Sequence, residues 1–333
     1  MADMQSGAVV MVKAVVVREP GGPEAMRIED VAVGAPSAGQ VRIRHRAIGL
    51  NFIDTYFRAG AYKAATPFVL GNEAAGDVVE VGPGVTDFKV GDRVGYTSTL
   101  GAYAEERLLE TGSLVRLPDA ISYETAAGMM LKGLTAQYLL RRTYKVKAGD
   151  TILVHAAAGG VGQLLCQWGH ALGATVIGTA GSPEKAEIAK AMGAAHVILY
   201  DRENFVERVK EITKGALCDV VYDGVGKSTF MGSLDCIRPM GLFVSYGNAS
   251  GQIDAFNITL LSQKGSLFVT RPTLYTYIAK RADLDAMAAE LFEMVASGKL
   301  KIPVERTFAL DDIVEAHRAL EGRKTTGVTV ITV

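Results

Sequence analysis

Three small residues, Ala157, Gly159 and Gly162, carry the first chemical signal in this chain. They lie in the run Thr151-Ile-Leu-Val-His-Ala-Ala-Ala-Gly-Gly-Val-Gly-Gln163. Their spacing is that of a dinucleotide fingerprint, with Ala in the first Gly place. The chemistry is anion binding: a tight turn lets the backbone approach a pyrophosphate, and N–H groups at a helix start face the charge. Such a site needs a strand before the turn and a helix after it. The apolar run Ile152–Val154 reads as a buried strand. Val161, Leu164, Leu165 and Trp168 repeat with helical spacing. A second strand, Ala174–Thr179, follows. The bland alternative is a glycine-rich β–α turn that holds no nucleotide.

The tip of that second strand bears on which dinucleotide would bind. An NAD site usually places an Asp or Glu about 20 residues past the first Gly to hold the ribose 2′-hydroxyl. Here the sequence runs Gly178-Thr-Ala-Gly-Ser-Pro-Glu-Lys185, with no acid at the strand tip. A carboxylate would repel a 2′-phosphate, so its absence favours NADPH. Lys185 offers positive charge, Ser182 a hydroxyl, and Gly181 room for the phosphate. Ser182 before Pro183 is equally an ordinary helix start, and Lys185 equally a solvated helix face.

The elements around this core organise the rest. Residues 10–130 hold short β-rich runs, Lys13–Val17, Gln40–Arg44, Asp77–Val81 and Asp92–Gly95, between Gly, Pro and Asp turns. They suggest a partly open β-barrel. A helix is expected through Ala126–Arg142. Beyond it strands at 151–155, 174–179, 196–200, 218–222, 242–246 and 266–270 alternate with helices at 160–172, 184–192, 203–213 and 228–237. Alternation at this spacing predicts a parallel, doubly wound α/β sheet. The tail carries helices near 283–297 and 311–321 and a last strand at 327–332.

Composition limits the partners. The chain has 333 residues, 49% hydrophobic and 21% charged, with a formal net charge of −1. A balanced charge supplies no field to draw nucleic acid or an acidic membrane. No signal peptide or membrane span is read, and three scattered cysteines fit a reducing cytoplasm without disulfides. Cys166, inside an apolar helix, reads as a core residue and not a nucleophile.

Several segments together resemble the medium-chain dehydrogenase/reductase superfamily, and within it the zeta-crystallin-like NADPH:quinone oxidoreductases. The carriers are Asn51–Tyr56, Gly71–Gly76, Lys132–Leu140, His155–Gly162, Val220–Gly224, Gln263–Leu267 and Thr270–Pro272. The resemblance implies a Rossmann sheet inserted into a GroES-like catalytic domain. Its boundaries would be 1–132 for the first catalytic part, 133–273 for the dinucleotide domain and 274–333 for the return segment. It implies cofactor contacts from Thr135, Tyr138, Ala158, Gly159, Gly160, Val161, Gly181, Ser182, Lys185, Tyr200, Asn248 and Arg323. Zinc-dependent relatives place Cys where this chain has Asn51 and His where it has Asn72. An amide is a poor zinc ligand, no Cys precedes Cys166, and the five histidines lack ligand spacing. No metal is therefore expected.

Hydride transfer from a nicotinamide needs little beyond placement and a donor at the oxygen that gains charge. The candidates are Asn51, Tyr56, Tyr62 and Arg271. The resemblance sets Asn51–Tyr56 beside the nicotinamide. Asp54 orients neighbours there, or is simply a helix-start carboxylate. Tyr62 is equally a surface aromatic, and Arg271 equally a structural ion-pair partner. The implied activity is reduction of a quinone by NADPH. The alternatives are reduction of an enone or 2-alkenal, and a structural or RNA-binding role. The apolar, uncharged run Ser266–Thr270 is expected at a sheet edge, where pairing with a second copy would give a homodimer.

Overall fold

The computed structural model describes residues 9–98, 100–322 and 325–333. The chain divides into two units. The first comprises the described residues up to Leu131 together with Leu284–Phe292 and Ile302–Val333; the second comprises Lys132–Asp283 and Glu293–Lys301.

In chain order the first unit begins with β1 (Val10–Val17), β2 (Met26–Val33), β3 (Gln40–Gly49), α1 (Phe52–Arg58), β4 (Phe68–Val69), β5 (Glu73–Val81), β6 (Arg93–Thr97), β7 (Glu106–Glu110) and β8 (Leu114–Arg116). Next come α2 (Tyr123–Tyr138) and the six-stranded core of the second unit. That core is β9 (Thr151–Val154), α3 (Gly160–Ala171), β10 (Thr175–Ala180), α4 (Pro183–Ala191), β11 (His196–Leu199), α5 (Phe205–Ile212), β12 (Cys218–Asp223), α6 (Phe230–Asp235), β13 (Ile237–Ser245), α7 (Thr259–Gln263) and β14 (Phe268–Thr270). The chain closes with α8 (Leu274–Tyr277), α9 (Arg281–Ala296), β15 (Val304–Ala309), α10 (Ile313–Glu321) and β16 (Val328–Thr332).

The second unit's sheet has the order β11-β10-β9-β12-β13-β14, and every pairing is parallel. This is the expected doubly wound sheet. Its middle strands are apolar on both faces, as burial under helices demands; Ile152, Leu153, Val154, Val220, Val221 and Phe243 are fully buried. The first unit curls around β3. One edge of β3 pairs antiparallel with β5; the other pairs first with β7, from Gln40 to Arg44, and then with β16, from Ala47 to Gly49. Two register shifts, at Arg42/Ile43 and His45/Ala47, bend the strand. A separate three-stranded sheet, β2-β1-β4, accompanies it.

Several boundaries differ from the sequence expectation. The helix expected at 228–237 runs only Phe230–Asp235, because Ile237 already pairs opposite Cys218 as the start of β13. The helix expected to reach Arg142 ends at Tyr138 and passes into a π-helical turn, Leu139–Thr143. The last strand of the second unit is only three residues long. β2 and β15 were not anticipated; they carry the exposed charges Arg27, Asp30, Glu305 and Arg306, which break up the apolar alternation. Among the described residues no helix is long and apolar enough to cross a membrane.

Candidate active site

The second unit builds an anion cradle at the carboxyl end of β9. Ala156 takes a left-handed conformation, φ 52°, which turns the chain out of the strand. Ala157 N–H donates to Thr179 O at 2.9 Å, and Gly159 N–H donates to Ala156 O at 2.9 Å. The Gln163 amide donates to Ala158 O at 2.8 Å, fixing the middle of the turn. Gly159 caps α3 in an extended conformation. Among the described residues no backbone acceptor meets the N–H groups of Gly160 and Val161, which open the helix. A Cβ on Gly162 would lie 2.3 Å from Ala156 O and 2.9 Å from Ala157 Cα. Only glycine lets α3 start this close to the turn, and the first-turn N–H groups with the helix dipole suit a pyrophosphate.

At the tip of β10 no carboxylate intervenes before α4. Ser182 caps that helix, its hydroxyl accepting Lys185 N–H at 3.3 Å. The helix-start reading of Ser182 thus holds in this structure. Lys185 lies in the first turn and is half-buried. Tyr200, 47% exposed, stands over Gly181; a Cβ there would come within 2.6 Å of the phenol oxygen. Gly181, Lys185 and Tyr200 therefore share one corner at the carboxyl ends of β10 and β11, the end of a parallel sheet that binds ligands.

The other expected cofactor contacts sit in the same unit. Thr135 and Tyr138 are buried on α2, and Tyr138 stacks on Tyr277 with centroids 4.5 Å apart and planes at 12°. Burial pushes the Tyr138 phenol well up, so it stays protonated. Arg271, exposed after β14, donates from Nη1 to Ser245 O at 2.9 Å. With its amide nitrogen donating to Gly247 O at 2.9 Å, Asn248 accepts from Arg271 Nη2 at 3.3 Å. Arg323 lies outside the described residues. Cys166 is fully buried, and burial lifts its thiol to about 12, as a core cysteine requires.

The first unit contributes a buried polar cluster at the start of α1. Asp54 is fully buried. Its Oδ2 accepts Asn51 N–H at 2.9 Å and the Tyr103 hydroxyl at 2.7 Å, while Oδ1 accepts the Asn72 amide at 2.5 Å. The Asn51 amide nitrogen donates to Glu73 Oε1 at 2.7 Å and to Gly49 O at 3.3 Å. Glu73 Oε2 accepts Leu131 N–H at 2.6 Å. Asn51 thus directs its amide hydrogens inward. Tyr56 and Tyr62 project from α1 and the turn after it as an aromatic pair, centroids 5.2 Å apart. Tyr62 also meets Phe57 edge-on. Both tyrosines are half-buried, and among the described residues no hydrogen-bond partner meets the Tyr62 hydroxyl.

Glu73, Tyr103, Arg58, His317 and Gln163 were not anticipated in any role. Glu73 had a weak signal, an acid ahead of the small apolar pair Ala74–Ala75. Tyr103 and His317 had none, because their partners lie far along the chain. Among the described residues no group of three or more His, Cys, Asp or Glu side chains is placed to hold a metal ion. Asn51 and Asn72 instead engage carboxylates through their amides.

Residues 37–148 match the family described as alcohol dehydrogenase GroES-like domain, and residues 160–293 the family described as zinc-binding dehydrogenase. A GroES-like module followed by this nucleotide sheet defines a class, the medium-chain dehydrogenases/reductases. The chain is 54% identical over 313 residues to a quinone oxidoreductase of Pseudomonas aeruginosa, covering 93% of this chain and 96% of that protein. It is 48% identical to a 2-haloacrylate reductase of a Burkholderia species, covering 96% of this chain and 99% of that protein. A crystal structure of Escherichia coli quinone oxidoreductase complexed with NADPH matches with a TM-score of 0.95 at 46% identity, covering 96% of this chain and all of that one. The chain belongs to the zeta-crystallin-like quinone oxidoreductases of the medium-chain dehydrogenase/reductase superfamily.

Proposed function

We propose that this protein is an NADPH:quinone oxidoreductase that works without a metal. The observation that carries the reading is the cradle at Gly159–Gly162 joined, in one unit, to an acid-free corner at Gly181, Lys185 and Tyr200. The N–H groups of Gly160 and Val161 would hold the pyrophosphate, and Lys185 the 2′-phosphate. When bound, NADPH supplies the hydride. The chain's own residues orient the acceptor and stabilise the charge that forms on its oxygen. Tyr62 is the candidate donor, since its hydroxyl has no protein acceptor among the described residues. Asn51, Asp54 and Tyr56 shape the wall that carries it, and Arg271 steadies the end of β13 through Ser245.

The 2-haloacrylate reductase relative favours a second reading, reduction of a conjugated carbonyl compound. The chemistry is shared, because either acceptor gains negative charge on oxygen. Turnover of NADPH with 1,4-benzoquinone and with a simple enone, each with and without chelator, tests both. Quinone turnover exceeding enone turnover and untouched by chelator is expected. No NADPH consumption with either acceptor, or loss of activity on chelation, would reject the proposal.

Lys185→Ala is expected to weaken NADPH binding about 10–150-fold, the worth of one charge-assisted phosphate contact, and to leave NADH binding nearly unchanged. Fluorescence titration with both cofactors reads this; an equal loss for both would remove Lys185 from the 2′-phosphate.

A homodimer through β14, in the cytoplasm, completes the reading. β14 is an edge strand, and Phe268 and Val269 on it are 62% and 36% exposed. Bare apolar edges invite pairing, and a two-fold contact there closes on itself. Light scattering should give twice the chain mass for wild type and a monomer for Phe268→Lys. A wild-type monomer at micromolar concentration would refute it.

A further inference from the structure

The buried cluster at Asp54 continues into a chain of hydrogen bonds whose direction chemistry fixes at every step. Arg58, at the end of α1, is 2% exposed. Its guanidinium donates to Glu321 on α10 through Nη1 at 3.0 Å and Nη2 at 2.7 Å, to Gly21 O through Nε at 3.1 Å, and from Nη1 to His317 Nδ1 at 3.0 Å. A guanidinium only donates. His317 Nδ1 must therefore accept, and the ring is neutral with its proton on Nε2. That Nε2–H faces Tyr103 Oη at 3.3 Å, so the tyrosine oxygen accepts from it. The Tyr103 proton then goes to Asp54 Oδ2 at 2.7 Å. Each donor in the series Arg58, His317, Tyr103 points toward Asp54.

The surroundings hold this pattern. Burial, reinforced by the Asp54 and Glu73 charges, pushes the Tyr103 phenol well above its ordinary value. Burial and the Arg58 charge hold His317 down at about 3. The charged groups along the series include Glu73 from β5, Arg58 from the same helix as Asp54, and Glu321 from α10, which is paired with Arg58. Asp54 receives donors from Asn51, Asn72 and Tyr103, the pattern an acceptor-only carboxylate takes. Through it the series fixes the Asn51 backbone at the start of α1 and the amide of Asn72.

We infer that Tyr103 and His317 are positioning residues for the reaction: acting through Asp54, they hold the start of α1, and with it Tyr56 and Tyr62, in one orientation. Their part in turnover rests on the oxidoreductase reading above; their part in holding Asp54 does not.

The test uses the whole protein and two readouts. Nitrogen-15 NMR of labelled histidine should show His317 unprotonated on Nδ1 and protonated on Nε2 across neutral pH. Carbon-13 NMR of labelled aspartate should show the Asp54 carboxyl titrating about 1–2 pH units higher in Tyr103→Phe than in wild type, the worth of one hydrogen bond to a charged acceptor. In NADPH turnover, Tyr103→Phe and His317→Leu should each acquire an acid limb in kcat that wild type lacks. His317→Gln should remove that limb, since an amide can accept from Arg58 and donate to Tyr103. NADPH affinity should stay at the wild-type value throughout. A proton on Nδ1, or an unmoved Asp54 titration, overturns the inference. So does a wild-type pH profile in both Tyr103→Phe and His317→Leu, even if those variants melt earlier. Wild-type protein with the expected NMR signatures but no NADPH turnover would leave the Asp54 series standing and reject the oxidoreductase reading instead.

Discussion

Acidification below about pH 6.5 is expected to cost the fold stability steeply. An unfolded histidine titrates near 6.5. In the folded chain burial holds His45 down to about 4, with the Arg107 charge adding to it, and burial with Arg58 holds His317 to about 3. Burial lowers His155 as well. Between those values the unfolded chain takes up protons that the folded chain refuses. Stability is therefore fully present above pH 6.5, declines as pH falls, and levels off only near the folded values. Each such histidine contributes up to ~1.4 kcal/mol per pH unit, so His45 and His317 together account for about 3–5 kcal/mol between pH 6.5 and 4.5. The geometry agrees. His45 Nδ1 lies 2.6 Å from Ala104 O, so it is the protonated nitrogen, and Nε2 faces the Tyr96 hydroxyl at 2.8 Å. Urea unfolding at pH 7.5 and 5.0 measures the slope, and His317→Gln should flatten it by about one histidine's share. A free energy of unfolding unchanged across that range would contradict the assignment.

The second large effect is expected from Gly162→Val. The new Cβ would meet the Ala156 carbonyl oxygen at 2.3 Å and Ala157 Cα at 2.9 Å. Both obstacles are backbone, so neither can swing aside. The turn must open or the start of α3 must unwind, and either displaces the N–H groups of Gly160 and Val161. Overpacking of this kind costs about 1–3 kcal/mol of stability, and the loss of NADPH binding should be near complete. Gly159→Ala is the control: its Cβ would sit 3.2 Å from Ala156 O, a contact that a few tenths of an ångström relieve. Thermal unfolding with and without NADPH separates the effects. Ligand-induced stabilisation should vanish in Gly162→Val and persist in Gly159→Ala; its persistence in both would show that the cradle is not where the cofactor binds.

What the sequence reveals follows the range of the forces involved. The fingerprint, the strand–helix alternation from β9 to β12 and the missing acid after β10 are local patterns, and each is present where expected. Ser182 was legible as a cap because Ser-Pro before a helix is a local device. The boundary at Ile237 was not, because an apolar residue after a short helix joins a strand only when a partner such as Cys218 stands opposite. α1 was legible only at its start, where Asp54 reads as a helix-start carboxylate; its extent was hidden for a similar reason. It is seven residues long, too short to stand alone, and survives through its buried polar start. The Tyr103–His317 pair joins positions 214 apart in sequence, and no window along the chain contains both. Asn51 was read from its residue type as a donor toward a ligand; its amide nitrogen faces Glu73 because a buried carboxylate there must be satisfied.

The position of β16 has a consequence for biosynthesis. This strand covers the Ala47–Gly49 end of one edge of β3, and Leu50 N–H, next to Asn51, donates to Thr329 O at 3.1 Å. On the ribosome, residues 40–50 emerge long before 328–332, and the entire nucleotide sheet is made in between. The nucleotide sheet can therefore fold while translation continues, whereas β3 waits with an apolar edge open until the closing segment arrives. Nascent chains stalled before Val328 should protect the β9–α3 turn from protease and leave β3 cleavable, and that open edge is where a chaperone or a misplaced strand would find its hold.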